Sequence, residues 1–187
     1  MVALFSITAL ECKFRRVEII FSMSFAKVLL AVSISMTCVA QTKPVHAGPT
    51  AKRMLERIDR DGAKKVVDQL WATPKHGQWE YVVNQIQAGS DAWLDVAEKI
   101  QPGTDAGSAD ELMIVMSTAL AHNPARVLSM IGPKFPLEEI CTVPFIEPSR
   151  QVIVNHKARI HAALKRVDSR ELEEKKAGCL KSIDAVK

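Results

Sequence analysis

The chain is 187 residues long, 48% hydrophobic, 25% charged and 5% aromatic, the composition of a globular protein of one or at most two domains; disordered, collagen-like and low-complexity classes are excluded. Its formal charge of +4 is concentrated at the start: residues 48–187 carry 20 basic and 19 acidic side chains, a net of +1. So even a balance leaves no electrostatic footprint for a nucleic-acid partner.

Residues 1–22 mix apolar stretches with Cys12, Lys13, Arg15 and Arg16 and follow neither a helical nor a strand period, so they read as a non-structural upstream extension. From Met23 the pattern is that of a secretory signal peptide over residues 23–47: a short start with Lys27, an uncharged run from 28 to 40, then small residues and a polar, Pro-containing stretch. Small residues place the cut after Ala40 or after Ala47, the second being favoured. The apolar run is shorter than the roughly 20 residues a membrane anchor needs, so no stable membrane insertion is expected after cleavage. A lipid-modified Cys38 is disfavoured by the Met36-Thr37 that precedes it. Export to the periplasm is the expectation, with residues 48–187 as the mature domain.

Every strong period in the mature chain is helical. Residues 50–71 hold two apolar clusters, Met54, Leu55, Ile58 and then Val66, Val67, Leu70, Trp71, with Asp61-Gly62 as a break between two short helices. Thr73-Pro74 and Gly77 interrupt, after which Trp79, Val82, Val83 and Ile86 repeat at i, i+3, i+4, i+7 until Gly89. Trp93, Val96, Ala97 and Ile100 repeat the spacing before Pro102-Gly103. A helix over 108–121 is expected next, with Ser108 and Glu111 as a capping box, a stripe of Leu112, Val115, Met116, Ala119 and Leu120, and Met113 and Ile114 widening it almost all round, so that this helix is central. Asn123-Pro124 is a helix start with Asn as cap and Pro first, leading to Val127, Leu128 and Ile131. A helical turn near 137–141, a long helix carrying Ile153, Ile160, Leu164 and Val167, and a last helix from about Ser169 complete the chain. The expected fold is all-α: one domain of seven to eight short helices packed as antiparallel hairpins, without a fixed-period repeat.

Cys12 and Cys38 fall in the leader, leaving Cys141 and Cys179 as the only cysteines of the mature chain. An even count in an oxidising compartment predicts a disulfide, although two buried free thiols are the alternative. The pair would tie the last helix to the middle of the molecule. Without CxxC or HxxxH there is too little ligand density for zinc, and no metal or cofactor is expected.

Motifs that fix a chemistry are missing: no GxSxG, Walker loop, GxGxxG, HExxH or CxxC occurs after residue 47. His156 and His161 stand about 140° apart around one helix and read as surface or boundary residues; His122 reads as a helix-end residue. Glu138, Glu139, Glu171, Glu173 and Glu174 read as solvated helix faces. The basic residues Lys157, Arg159, Lys165, Arg166, Arg170, Lys175, Lys176 and Lys181 are mixed with acids, the pattern of an ion-paired surface or of a face for an acidic partner. The residues that stand out are Thr104 and Asp105 in Pro102-Gly103-Thr104-Asp105-Ala106-Gly107, and Phe145 and Glu147 in Pro144-Phe145-Ile146-Glu147-Pro148. They occupy rigid inter-element loops, where functional residues collect, and they are the candidate partner-binding residues; a turn or helix-start role is the plainer reading of each acid.

At those two loops, the second extended to Cys141-Thr142-Val143, the chain resembles a group of small exported helical proteins of Gram-negative bacteria. In class and compartment, with no diagnostic motif, it is also similar to periplasmic immunity proteins that plug cell-wall amidase effectors of type VI secretion. Together with export, one disulfide and the missing catalytic motifs, the resemblance points to a periplasmic binding protein of immunity or inhibitor type with a protein partner such as a toxin enzyme; a monomer or homodimer is expected. It transfers no contact residue. Two other readings stay open: a small envelope hydrolase using Glu147 or Asp105 as its acid, and an accessory subunit of an envelope assembly.

Overall fold

In the computed structural model, residues 48–186 are described; the expected upstream extension, the signal peptide and both cleavage points lie outside the described residues. The first helix, α1 (Ala51–Asp61), starts where Thr50 Oγ1 accepts the Arg53 N–H at 3.4 Å, and buries Ala51, Met54 and Ile58. Gly62, at φ 84° and ψ 145°, ends it and turns directly into α2 (Ala63–Trp71), a backbone state that a side chain at this position would strain. A 3-10 turn, Pro74–His76, leads to α3 (Gly77–Gln87), and Lys75 and His76 both adopt left-handed φ values of 55° and 53°. The His76 ring stacks on Trp71 at 4.5 Å, which braces this unusual pair.

The next elements are α4 (Asp91–Ile100), a 3-10 turn Gln101–Gly103, and α5 (Ala106–Ala119). Gly103 is buried against the start of α2: a Cβ there would lie 2.3 Å from the Ala63 carbonyl carbon and 2.4 Å from the Lys64 nitrogen, so only glycine permits this approach. One correction falls on α5. It begins two residues before Ser108, and its cap is Asp105, whose N–H donates to Ser108 Oγ at 2.9 Å while the Ser108 hydroxyl lies 3.0 Å from Asp105 Oδ1. Glu111 takes no part in capping; it accepts the indole N–H of the buried Trp79 at 2.6 Å. An acid three residues before the expected cap is available to cap, and a buried indole needs an acceptor.

The chain continues through α6 (Pro124–Met130), α7 (Leu137–Ile140), α8 (Arg150–Leu164), a 3-10 turn Arg170–Leu172 and α9 (Glu173–Ala185). Asn123 caps α6 by accepting the Arg126 N–H at 3.3 Å, and its amide donates to Gly89 O at 2.9 Å and Asp91 Oδ1 at 2.8 Å. That one side chain joins the α3–α4 turn to the start of α6. Among the described residues there are nine α-helices, one or two more than expected, and a single bridge, Gly132–Phe135, in place of any strand.

The fold is all-α, and the described residues fall within one compact unit. Sequential helices pack together at α1–α2, α2–α3, α3–α4 and α8–α9, and contacts of α1 with α4, α3 with α5, α5 with α7 and α7 with α9 fold the series back on itself. Met54, Leu70, Trp79, Ile86, Leu94, Leu112, Met116, Leu128 and Ile140 are among the fully buried side chains of one continuous core. Central α5 fits the expectation in one direction only: Leu112, Val115, Met116 and Ala119 are buried, but Met113 is half-buried and Ile114 is 39% exposed. The stripe does not wrap the helix, because α3, α6 and α7 cover one side of it.

Candidate interaction site

The exposed large hydrophobic side chains of the described residues are Ile114, Phe145, Ile146, Val152 and Val154, and they all belong to three adjoining pieces of structure: the outer side of α5, the segment 141–149 and the first turns of α8. Single exposed apolar residues are ordinary, as Val152 and Val154 on α8 are; Ile114, Phe145 and Ile146, which border one groove, form the kind of set that marks an interaction surface. Ile146 is 92% exposed, so nearly all of its side chain is held in water by the folded chain.

The segment that presents it is firmly anchored. Cys141 follows α7 directly and is disulfide-bonded to Cys179 of α9, with both residues fully buried. The Thr142 carbonyl accepts from Ser117 Oγ of α5 at 3.2 Å and from His156 Nε2 of α8 at 3.1 Å. The Phe145 ring meets the His156 ring edge to face, with centroids 5.3 Å apart. Pro144 and Pro148 bracket the exposed tip, where Glu147 takes a left-handed φ of 46°. The tip thus gains its shape from contacts on three helices rather than from a regular element of its own.

His156 corrects a second expectation: it is 1% exposed and belongs to the buried side of α8 with Ile160, Ala163 and Leu164. Because a carbonyl oxygen only accepts, Nε2 carries the proton, and Nδ1 is buried with no partner among the described residues. Burial is the main cause that pushes the His156 pKa down, with Arg159 acting in the same direction and the Thr142 hydrogen bond opposing them. Burial thus favours the neutral ring. His161, by contrast, sits at the boundary as expected, 2.8 Å from Asp184 Oδ1.

Between α5 and this segment runs an open groove of about 350 Å³, lined by Asp110, Met113 and Ile114 of α5, Glu139 of α7 and residues 142–146. Phe145 is thus one wall of the groove, and Glu147 is an exposed neighbour that does not line it. Thr104 and Asp105 are elsewhere. The Thr104 hydroxyl donates to Gln101 O at 2.7 Å and closes the 3-10 turn, whereas Asp105 caps α5 and lies 3.8 Å from Lys64 Nζ. Thr104 and Asp105 do not line the groove that Phe145 borders.

Ile114 was legible as a site residue in one respect. It lies about 140–160° around the helix from Leu112, Met116 and Ala119, so it is an apolar residue on the side opposite an already complete stripe. Val154 lies about 160° around α8 from buried His156 and about 120° from Ile160. The groove itself depends on how segment 141–149 lies over α5, which no local pattern encodes.

Chemically the arrangement offers apolar walls and exposed carboxylates. His156 is sealed from the groove's solvent, and among the described residues no cluster of three or more His, Cys, Asp or Glu side chains has the geometry to hold a metal ion. Nor is any described helix long and apolar enough to cross a membrane. No family model, curated protein or solved structure matches the chain.

Proposed function

We propose that this protein is an exported binding module of immunity or inhibitor type, which acts in the periplasm by occupying a cell-envelope-targeting enzyme and blocking it. The observation that carries the reading is the rigid, disulfide-anchored presentation of Phe145 and Ile146 beside Ile114. An apolar tip held in water costs solubility unless it is covered, and a pre-ordered tip binds with little entropy left to lose. Aromatic side chains, Phe among them, are enriched at the cores of interfaces.

The test is co-purification from cells that express the full chain, followed by an activity assay on what is retained. The reading requires a stoichiometric protein partner whose cell-wall-degrading activity falls when the chain is added back, and a weakened complex for Ile146→Ser. A partner bound constitutively within an envelope assembly, without loss of any activity, would assign the chain to that assembly instead. Release of cell-wall or ester products by the purified protein itself, abolished in Glu147→Gln, would make it a hydrolase.

A further inference from the structure

The groove has a charge as well as a shape. Its two titratable lining residues, Asp110 and Glu139, are both acidic and exposed, Glu147 adds a third carboxylate beside it, and no Lys or Arg lines it. Among the described residues, none of these three acids is engaged in an ion pair, whereas Asp95 and Glu98 share Arg126. The walls between the acids are apolar: Met113, Ile114, Val143 and Phe145.

From this we infer that the groove takes a basic, apolar-tipped segment of a protein partner, in which a side chain of Leu, Ile, Met or Phe size enters between α5 and the 141–146 segment while flanking Lys or Arg residues meet Asp110 and Glu139. This rests on the protein-binding reading above and specifies the partner's chemistry. Complementary charge speeds encounter and fixes register, and the inserted apolar side chain supplies the buried contact. An anionic membrane surface fits poorly, because the acidic rim is repelled by the lipid headgroups that attract basic patches. A small polar ligand fits poorly too: such sites combine enclosure with convergent polar groups, and this groove is open and mostly apolar.

The probes are two synthetic amphipathic helical peptides with the same Leu stripe, one flanked by Lys and one by Glu, titrated into the isotopically labelled full chain and followed by amide chemical shifts. The expected result is that the Lys peptide perturbs residues 110–114 and 139–146, that the Glu peptide binds at least ten-fold more weakly, and that Asp110→Asn with Glu139→Gln weakens the Lys peptide by about ten-fold at low salt and less at high salt. Ile146→Ser and Ile114→Ser should also weaken it; these positions are exposed, and circular dichroism checks that each variant stays folded. The inference is overturned if the peptides bind equally, if neither binds, or if the shifts fall outside the groove. It is equally overturned by preferential binding to anionic phosphatidylglycerol vesicles, or by a dimer of the chain that Ile146→Ser dissolves. A captured enzyme whose affinity ignores the Asp110 and Glu139 changes would leave the binding reading standing and remove this one. Charge-selective peptide binding without any inhibited enzyme would do the reverse.

Discussion

Reducing the Cys141–Cys179 bond while both sulfurs stay in place separates the cross-link from the packing around it. The two cysteines are 38 residues apart in sequence, and the chain-entropy relation for a loop of that length gives about 13 cal/mol/K of lost unfolded-state entropy, or about 4 kcal/mol at 25 °C. Over the 139 described residues, at about 2.1 cal/mol/K of unfolding entropy per residue, the same loss lowers Tm by about 14 °C. Urea unfolding of oxidised and fully reduced wild-type protein, with thiol titration to confirm each state, measures the difference directly. Both sulfurs are fully buried, so a Cys→Ala pair would add the cost of two small cavities and should be less stable still. Equal midpoints for the oxidised and reduced forms would refute the reasoning, because they would mean that the unfolded chain is already restrained between α7 and α9.

Four further outcomes are expected. His156 has a folded pKa below its unfolded value of about 6.5, so the unfolded state binds the extra proton: stability should be flat above that pH and fall as pH drops through it, with a slope no steeper than about 1.4 kcal/mol per pH unit, and His156→Gln should lose this slope in urea titrations run from pH 7.5 to 5. Gly103→Ala forces a Cβ onto the Ala63–Lys64 backbone and should cost at least about 1–3 kcal/mol, read as a fall in thermal midpoint. Glu111→Ala strands the Trp79 indole N–H and should cost about 1–3 kcal/mol, with a change in the tryptophan near-ultraviolet spectrum. Ile146→Ser should leave stability within about 0.5 kcal/mol of wild type, since the side chain is 92% exposed; a larger loss would show that the tip is packed in solution.

Much of the helix layout was readable from spacing. Trp79, Val82, Val83 and Ile86 recur at helical intervals and are all buried, and Asn123-Pro124 starts α6 with the cap and first residue expected. The disulfide followed from counting. What escaped the reading depended on partners distant in sequence. The Ser108–Glu111 spacing satisfies a capping rule, but Asp105 stood closer to the helix start and Glu111 was claimed by Trp79, 32 residues earlier. His156 is polar and reads as a surface or boundary residue, yet Thr142 supplies a carbonyl and Phe145 a ring, which together make burial tolerable. Of the four loop residues singled out, Phe145 lines the groove, Glu147 adjoins it, and Thr104 and Asp105 serve the turn and cap before α5. The spacing of prolines and glycines marks both loops as rigid; it carries no information about which one lies across an exposed apolar helix face.

The hub at Asn123 also bears on how the molecule ages. Its side-chain amide donates to Gly89 O and Asp91 Oδ1, so conversion to Asp would replace two donors by acceptors and set one carboxylate against another across the α3–α4 turn. Deamidation ordinarily runs through a ring closed by the backbone nitrogen of the following residue. Here that residue is Pro124, whose nitrogen has no proton to give up, and the side chain joining three helices is therefore shielded from the commonest route of asparagine decay by the same proline that starts α6.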